Sequence, residues 1–110
     1  MIKATFYKDR EKDSFFGFNI KGHSGYAESG SDIVCAAISS MVMLFVNMAE
    51  GALGVPFDFE QEEESALVDF KFKAESECAK KSLMCFYECV KSVSSEYPAF
   101  VKVSEKMLKQ

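Results

Sequence analysis

Apolar and polar residues alternate near both ends of the chain and recur at steps of three and four in two longer stretches between. Ile2, Ala4 and Phe6 alternate with Lys3, Thr5 and Tyr7, the period of a strand with one buried face. Asp9 to Asp13 is a polar turn. Phe16, Phe18 and Ile20 then alternate with Gly17, Asn19 and Lys21, so the two segments predict a β-hairpin. Gly22, Gly25 and Gly30 mark a loop, and Ser31 or Asp32 is placed to cap a helix. That helix runs to about Leu53, where Gly51 and Gly54 end it and Pro56 follows.

Phe57 and Phe59 begin a short strand, and Glu60 to Ser65 reads as an acidic turn. Ala66, Val68, Phe70 and Phe72 alternate with Leu67, Asp69 and Lys71 in a further strand. A second helix is predicted from about Ser76 to Tyr97. Ala79, Leu83, Phe86, Val90, Val93 and Tyr97 form its apolar stripe, and Pro98 stops it. Phe100 to Ser104 makes a last strand, and the residues from Glu105 onward read as a polar tail that frays. The order β-β-α-β-β-α-β predicts an α+β fold in two layers, a mostly antiparallel sheet packed with two helices. At 110 residues the chain reads as a single domain, 1–110, because half that length does not readily build its own core.

The first helix bears on the class of protein. No charge interrupts Ile33 to Ala49, but the run is shorter than the roughly 20 residues that span a bilayer. It reads as a helix buried in protein, with no membrane partner. It is apolar nearly all round, and a two-layer domain covers only one face, so a homodimer is expected. The 11 phenylalanines suit a core held without staples. A net charge of −4 argues against direct nucleic-acid binding, which rests on Lys and Arg neutralising phosphates. No secretory h-region follows Met1, and three of the four cysteines crowd the second helix. Free thiols in a reducing cytoplasm are therefore expected.

Candidate chemistry centres on His23, the only histidine, and Cys35. With Asp32 as the cap, Cys35 is the third helical residue, beside unsatisfied N–H groups and the positive end of the helix dipole. A thiol with an ordinary pKa of about 8.5 is more easily ionised there. The same N–H groups suit the oxyanion of a tetrahedral intermediate. His23 lies twelve residues earlier, on a loop able to fold back, where an imidazole would exchange the proton. Plainer readings stand beside these. A cysteine in an apolar helix is commonly a core residue, and a loop histidine is commonly solvated. Asp32 caps the helix or orients His23. Ser39, one turn past Cys35, bonds its own backbone or touches the thiol or substrate. Cys78, Cys85 and Cys89 share one flank of the second helix. A zinc site there would need a fourth ligand, and half-buried or dimer-facing thiols are the simpler reading.

The run Gly22-His23-Ser24-Gly25-Tyr26-Ala27-Glu28-Ser29-Gly30-Ser31-Asp32-Ile33-Val34-Cys35-Ala36-Ala37-Ile38-Ser39 resembles the signature of the ribosomal-processing cysteine protease family, often called Prp. That signature is a Gly-His pair followed by an Asp-x-x-Cys-x-x-x-Ser block, met here by Gly22-His23 and by Asp32, Cys35 and Ser39. Element order and length extend the likeness to all 110 residues. The resemblance implies a cysteine endopeptidase with Cys35 as nucleophile and His23 as general base, and Gly22, Asp32 and Ser39 at the other motif positions. It implies a dimeric, cytoplasmic enzyme with a mobile loop between the His and the Cys. Its substrate would be the N-terminal extension of large-subunit ribosomal protein number twenty-seven. Such proteolysis needs no metal or organic cofactor. The acidic segment Glu60 to Glu64 is a solvated hairpin tip or an attractor for a basic substrate. The rival reading is a non-catalytic, peptide-binding ribosome-assembly partner with Cys35 as a core thiol. A thiol–disulfide oxidoreductase fits less well, because no resolving cysteine lies near Cys35 in sequence.

Overall fold

The computed structural model describes residues 1–28 and 31–110; Gly30, one of the glycines marking the loop, lies outside the described residues. Its elements are β1 (Ile2–Asp9), β2 (Phe15–Lys21), α1 (Ile33–Met48), a π-helical turn (Ala49–Leu53), β3 (Phe57–Glu62), β4 (Leu67–Phe72), α2 (Glu77–Glu96) and β5 (Val101–Leu108). The strands form one sheet in the order β3-β4-β2-β1-β5. Every pairing is antiparallel except β1 with β5, which is parallel. This is the α+β architecture that the alternation pattern predicts.

Two boundaries differ from expectation, each for a tertiary reason, and Phe16, read on one face with Phe18 and Ile20, instead packs beside Tyr7 at a bulge in the β1–β2 ladder. The polar tail does not fray: β5 pairs with β1 from Ile2↔Val101 to Asp9↔Leu108. The Gln110 N–H then donates to Asp9 Oδ2 at 3.0 Å. The acidic turn is shorter than predicted. Glu60 to Glu62 continue β3 against β4, because the backbone ladder tolerates charged side chains on an open face. The first helix ends at Leu53 as predicted, past its uncharged run. The π-turn carries it through Glu50 and Gly51 to Leu53, where Gly54 at φ 66° ends it. Ile33–Leu53 is thus 21 residues, long and apolar enough by length and composition to cross a membrane. One stripe of it, Val34, Ile38, Val42, Phe45 and Ala49, is buried in protein. Its outward residues Met43 and Leu44 are 65% and 69% exposed.

The core between sheet and helices is a phenylalanine cluster. Phe18 of β2 stacks on Phe70 of β4 at 5.3 Å and 5°. Phe45 of α1 meets Phe70 edge-on at 5.2 Å, and Phe86 of α2 at 4.9 Å. Ala79, Leu83, Phe86 and Val90 are buried as the α2 stripe predicts. Pro98 lies just past the end of α2 at Glu96. On the far face of the sheet, Asp69 accepts hydrogen bonds from Tyr7 Oη and from Asn19 Nδ2.

Gly17 lets β2 and β4 close up, because a Cβ there would overlap the carbonyl oxygen of Phe70. Gly51, by contrast, has open space around its Cα. Gly17→Ala should therefore lower stability by about 1–3 kcal/mol, an overpacking cost. Gly51→Ala should raise it by roughly 0.5–1 kcal/mol by restricting the unfolded chain. Urea unfolding of the two variants checks both signs.

Candidate functional site

The site forms where β2 ends and α1 begins. Gly22 has φ 98°, and a Cβ on it would lie 2.5 Å from the Met1 carbonyl oxygen. Only glycine turns the chain off the sheet so close to the start of β1. His23 follows, exposed, and Ser24 turns inward with 3% of its surface accessible. The Ser24 hydroxyl donates to Asp32 Oδ2 and accepts the Tyr26 N–H at 3.1 Å. Tyr26 packs edge-on against Tyr97 and Phe100, at 5.7 and 5.3 Å between centroids.

Asp32 is the N-cap of α1, the first of the two roles open to it. Its Oδ1 accepts the Cys35 N–H at 2.9 Å. The Ser24 hydroxyl, with the backbone N–H groups of Cys35 and Ala27 and the Cys35 side chain, holds the Asp32 pKa at about 2 against the opposing effect of burial. Among the described residues no ion pair joins this carboxylate to His23. Cys35 is the third residue of α1 and half-buried. Its Sγ accepts the backbone N–H of Ser24 at 3.2 Å.

One part of the expected chemistry changes. The Cys35 N–H is taken by the Asp32 side chain and the Ala36 N–H by the Asp32 carbonyl at 3.1 Å. Neither is free to receive an oxyanion, because the cap takes the third and fourth of the helix's four leading N–H groups. The donor aimed at the sulfur comes from the loop instead.

His23 and Cys35 line the same cleft, of about 400 Å³, together with Gly22 and Ser39. Ile2, Ile20 and Val68 of the sheet form its floor. Ser39, Val42, Met43 and Asn47 extend the α1 wall, and Phe59 and Gln61 of β3 face them. An apolar trough with a few polar groups at one end suits an extended peptide. Asp32 does not line the cleft and is bonded to Ser24 and Cys35 behind it. Ser39 is exposed on the cleft wall, and it is Ser40 that bonds back to the helix, donating to the Ala36 carbonyl at 2.7 Å.

Ser24 was not among the residues that sequence singles out. The Ser24-Gly25 dipeptide signals a turn, but no local pattern says that its hydroxyl reaches Asp32. Phe59, Asn47 and Gln61 are likewise brought to the cleft only by the folding of β3 against α1.

The other thiols lie elsewhere. Cys78 Sγ meets Ser76 Oγ at 3.0 Å, so Ser76 occupies the cap position of α2 without capping it through its hydroxyl. Cys85 and Cys89 line a second, almost wholly apolar groove of about 260 Å³ with Met41, Leu44 and Met48. Burial, and then the neighbouring Cys85, push the Cys89 thiol up. All four cysteines are free, and among the described residues no group of three or more His, Cys, Asp and Glu side chains is placed to hold a metal.

Residues 1–102 match the family described as Cysteine protease Prp. A stretch of 47 residues is 38% identical to the ribosomal processing cysteine protease Prp of Bacillus subtilis (strain 168), covering 43% of this chain and 41% of that protein. The fold is similar to that of the ribosomal processing protease Prp from S. aureus, solved with a covalently linked product peptide. The TM-score is 0.89 at 20% identity, over 96% of this chain and 100% of that one. It is also similar to SMU.848 from Streptococcus mutans, with a TM-score of 0.84 at 25% identity over 98% and 96% of the two chains.

The cap makes stability depend on acid. Asp32 is held at about 2, below the ordinary 3.8, so its contribution is complete above pH 4 and is lost as pH falls through 2. Asp32→Asn should remove that dependence. Ser24→Ala should shift it to higher pH by taking away the first of the groups that favour the carboxylate. Urea melts between pH 5 and pH 2 on the three proteins check this; superimposable profiles would refute it.

Proposed function

The chain belongs to the cysteine protease Prp family, and on that premise we propose that it is an endopeptidase with Cys35 as nucleophile and His23 as its acid–base partner. The substrate of this reading is the N-terminal extension of large-subunit ribosomal protein number twenty-seven, cleaved in the cytoplasm. The observation that carries it is that His23 and Cys35 line one peptide-sized cleft, with the Cys35 sulfur accepting a backbone N–H.

The steps follow from these positions. His23 accepts the thiol proton, and the Cys35 sulfur forms a bond to the scissile carbonyl carbon. The Ser24 N–H favours the charged sulfur before attack. The tetrahedral intermediate collapses as the C–N bond breaks and His23 returns the proton to the departing amine. Water, deprotonated by His23, then attacks the thioester and frees the carboxylate product and the thiol. The Asp32 carboxylate, held by the Ser24 hydroxyl and the Cys35 N–H, fixes the loop whose N–H reaches the sulfur. Ser39 and Gln61 are polar contacts for the substrate backbone along the cleft.

The surroundings agree with a basic substrate. Glu60 and Glu62 alternate with the cleft residues Phe59 and Gln61 and so lie on the reverse face of β3, and Glu63 and Glu64 follow in the turn, close enough for their field to reach the cleft's surroundings. Such a field speeds encounter with a cationic partner and fades with salt. A homodimer belongs to the same reading. The exposed Met43 and Leu44 and the apolar groove between α1 and α2 are surface that a second copy would cover.

Cys35→Ala and His23→Ala should each abolish cleavage of a peptide spanning the extension junction while leaving the fold intact; full activity in Cys35→Ala would sink the assignment. Iodoacetamide at pH 6.5 should label Cys35 faster than Cys78, Cys85 and Cys89. Exposure alone predicts the reverse order, since those three are exposed and Cys35 is half-buried. Slow labelling of Cys35 would favour the non-catalytic peptide binder. Sedimentation should show a dimer at tens of micromolar protein, on the order expected for an interface of standard size, and Leu44→Glu should give a monomer.

A further inference from the structure

Three lysines stand in one row across the sheet. Lys3 of β1 is directly opposite Lys21 of β2 and, on its other side, directly opposite Lys102 of β5. Residues so paired share a face, with Cβ atoms about 5 Å apart, and like charges at that distance destabilise a sheet. All three are exposed. They lie on the face away from the helices, since their neighbours Ile2, Ile20 and Val101 point into the core. Among the described residues, Lys8, Lys12, Lys71, Lys73 and Lys80 each have a carboxylate within ion-pair distance, and these three have none. The row behind them is Asn19, Thr5 and Ser104, again in register, and the next places Lys106 opposite Tyr7.

We propose that this row is a docking strip for the phosphate backbone of a single-stranded nucleic acid. Phosphate oxygens are bound by ammonium groups together with hydroxyl and amide donors, which is the composition of the first two rows. A protein partner would take its affinity from aromatic anchors. The rings of this face, Tyr7 and Phe16, are instead buried against one another. The net charge of −4, on which the expectation of no nucleic-acid contact rests, averages over a segregated surface. On this face the unpaired acids Glu60 and Glu62 lie on β3, two strands from β2, and Asp69 between them is held by Tyr7 and Asn19. Lys21 lies two residues before His23, so the strip backs onto the cleft from the reverse face. A strand on the strip and a peptide in the cleft do not compete for space.

The test uses a fluorescent 20-nucleotide oligouridylate and the full chain, titrated between 25 and 200 mM KCl. Binding should weaken with salt at a log–log slope of about −2, since each single-strand phosphate neutralised contributes about −0.7 and three lysines act. Replacing Lys3, Lys21 and Lys102 together by Gln should bring the slope near zero and weaken binding at 25 mM by about tenfold or more. It should also raise the melting temperature by relieving the repulsion. Single replacements should each reduce the slope by about 0.7. Gln at Lys73, Lys81 and Lys91 removes the same charge elsewhere and should leave binding within about twofold. The proposal falls if the parent does not bind at 25 mM. It falls equally if the strip variant binds as the parent does or the control loses as much. Competition by polyglutamate or by anionic phospholipid vesicles as strong as by unlabelled RNA would also overturn it.

Discussion

The ring of Phe45 set against Phe18, Phe70 and Phe86 is the contact on which the arrangement rests. It joins α1 to β2, β4 and α2 at one point and so fixes the helix over the sheet. Cys35 lies ten residues earlier, about 15 Å along the helix axis at 1.5 Å per residue. A rigid helix anchored at Phe45 therefore delivers its N-terminus to the end of β2, where Gly22 turns the chain toward His23. The core contact and the site are two ends of one lever.

At the other end the cap and the sulfur share one set of bonds. Asp32 closes the helix, receives the Ser24 hydroxyl, and by doing so sets the Ser24 N–H on the Cys35 sulfur. Cys35 is thereby tied at two atoms, its N–H to the carboxylate and its sulfur to the loop donor. Holding the carboxylate with three donors spends its charge locally and leaves the sulfur facing the N–H.

The two faces of the molecule are unlike in kind. On the helix side, apolar surface left over from the core forms the cleft beside α1 and the groove between α1 and α2. On the sheet side, charge is sorted by strand, acidic at β3 and basic at β1, β2 and β5. An antiparallel face open to water tolerates such sorting because its stability comes from the ladder and the buried side.

The legible parts were those governed by local periodicity. Alternation at Ile2 to Tyr7 and Gly17 to Lys21, the α2 stripe, Asp32 before an apolar run and Cys35 three residues on are all local patterns, and each stands in the fold as read; Phe16 does not, because a bulge in the β1–β2 ladder turns it to the far face beside Tyr7. The motif residues Gly22, His23, Cys35 and Ser39 were legible as a set because their spacing repeats a family's. Other features depend on residues far apart in sequence. The tail became β5 because β1 offered it a free edge. Glu60 to Glu62 became strand because β4 lay beside them. Ser24 entered the site because loop closure brought its hydroxyl to a carboxylate eight residues away. Lys3, Lys21 and Lys102 became neighbours only through strand register, which composition cannot express. Backbone propensity and hydrophobic period act within a few residues and are written in the chain itself. Contacts between distant segments are set by how the core packs, and that is where the site's hydrogen bonds and the lysine row were decided.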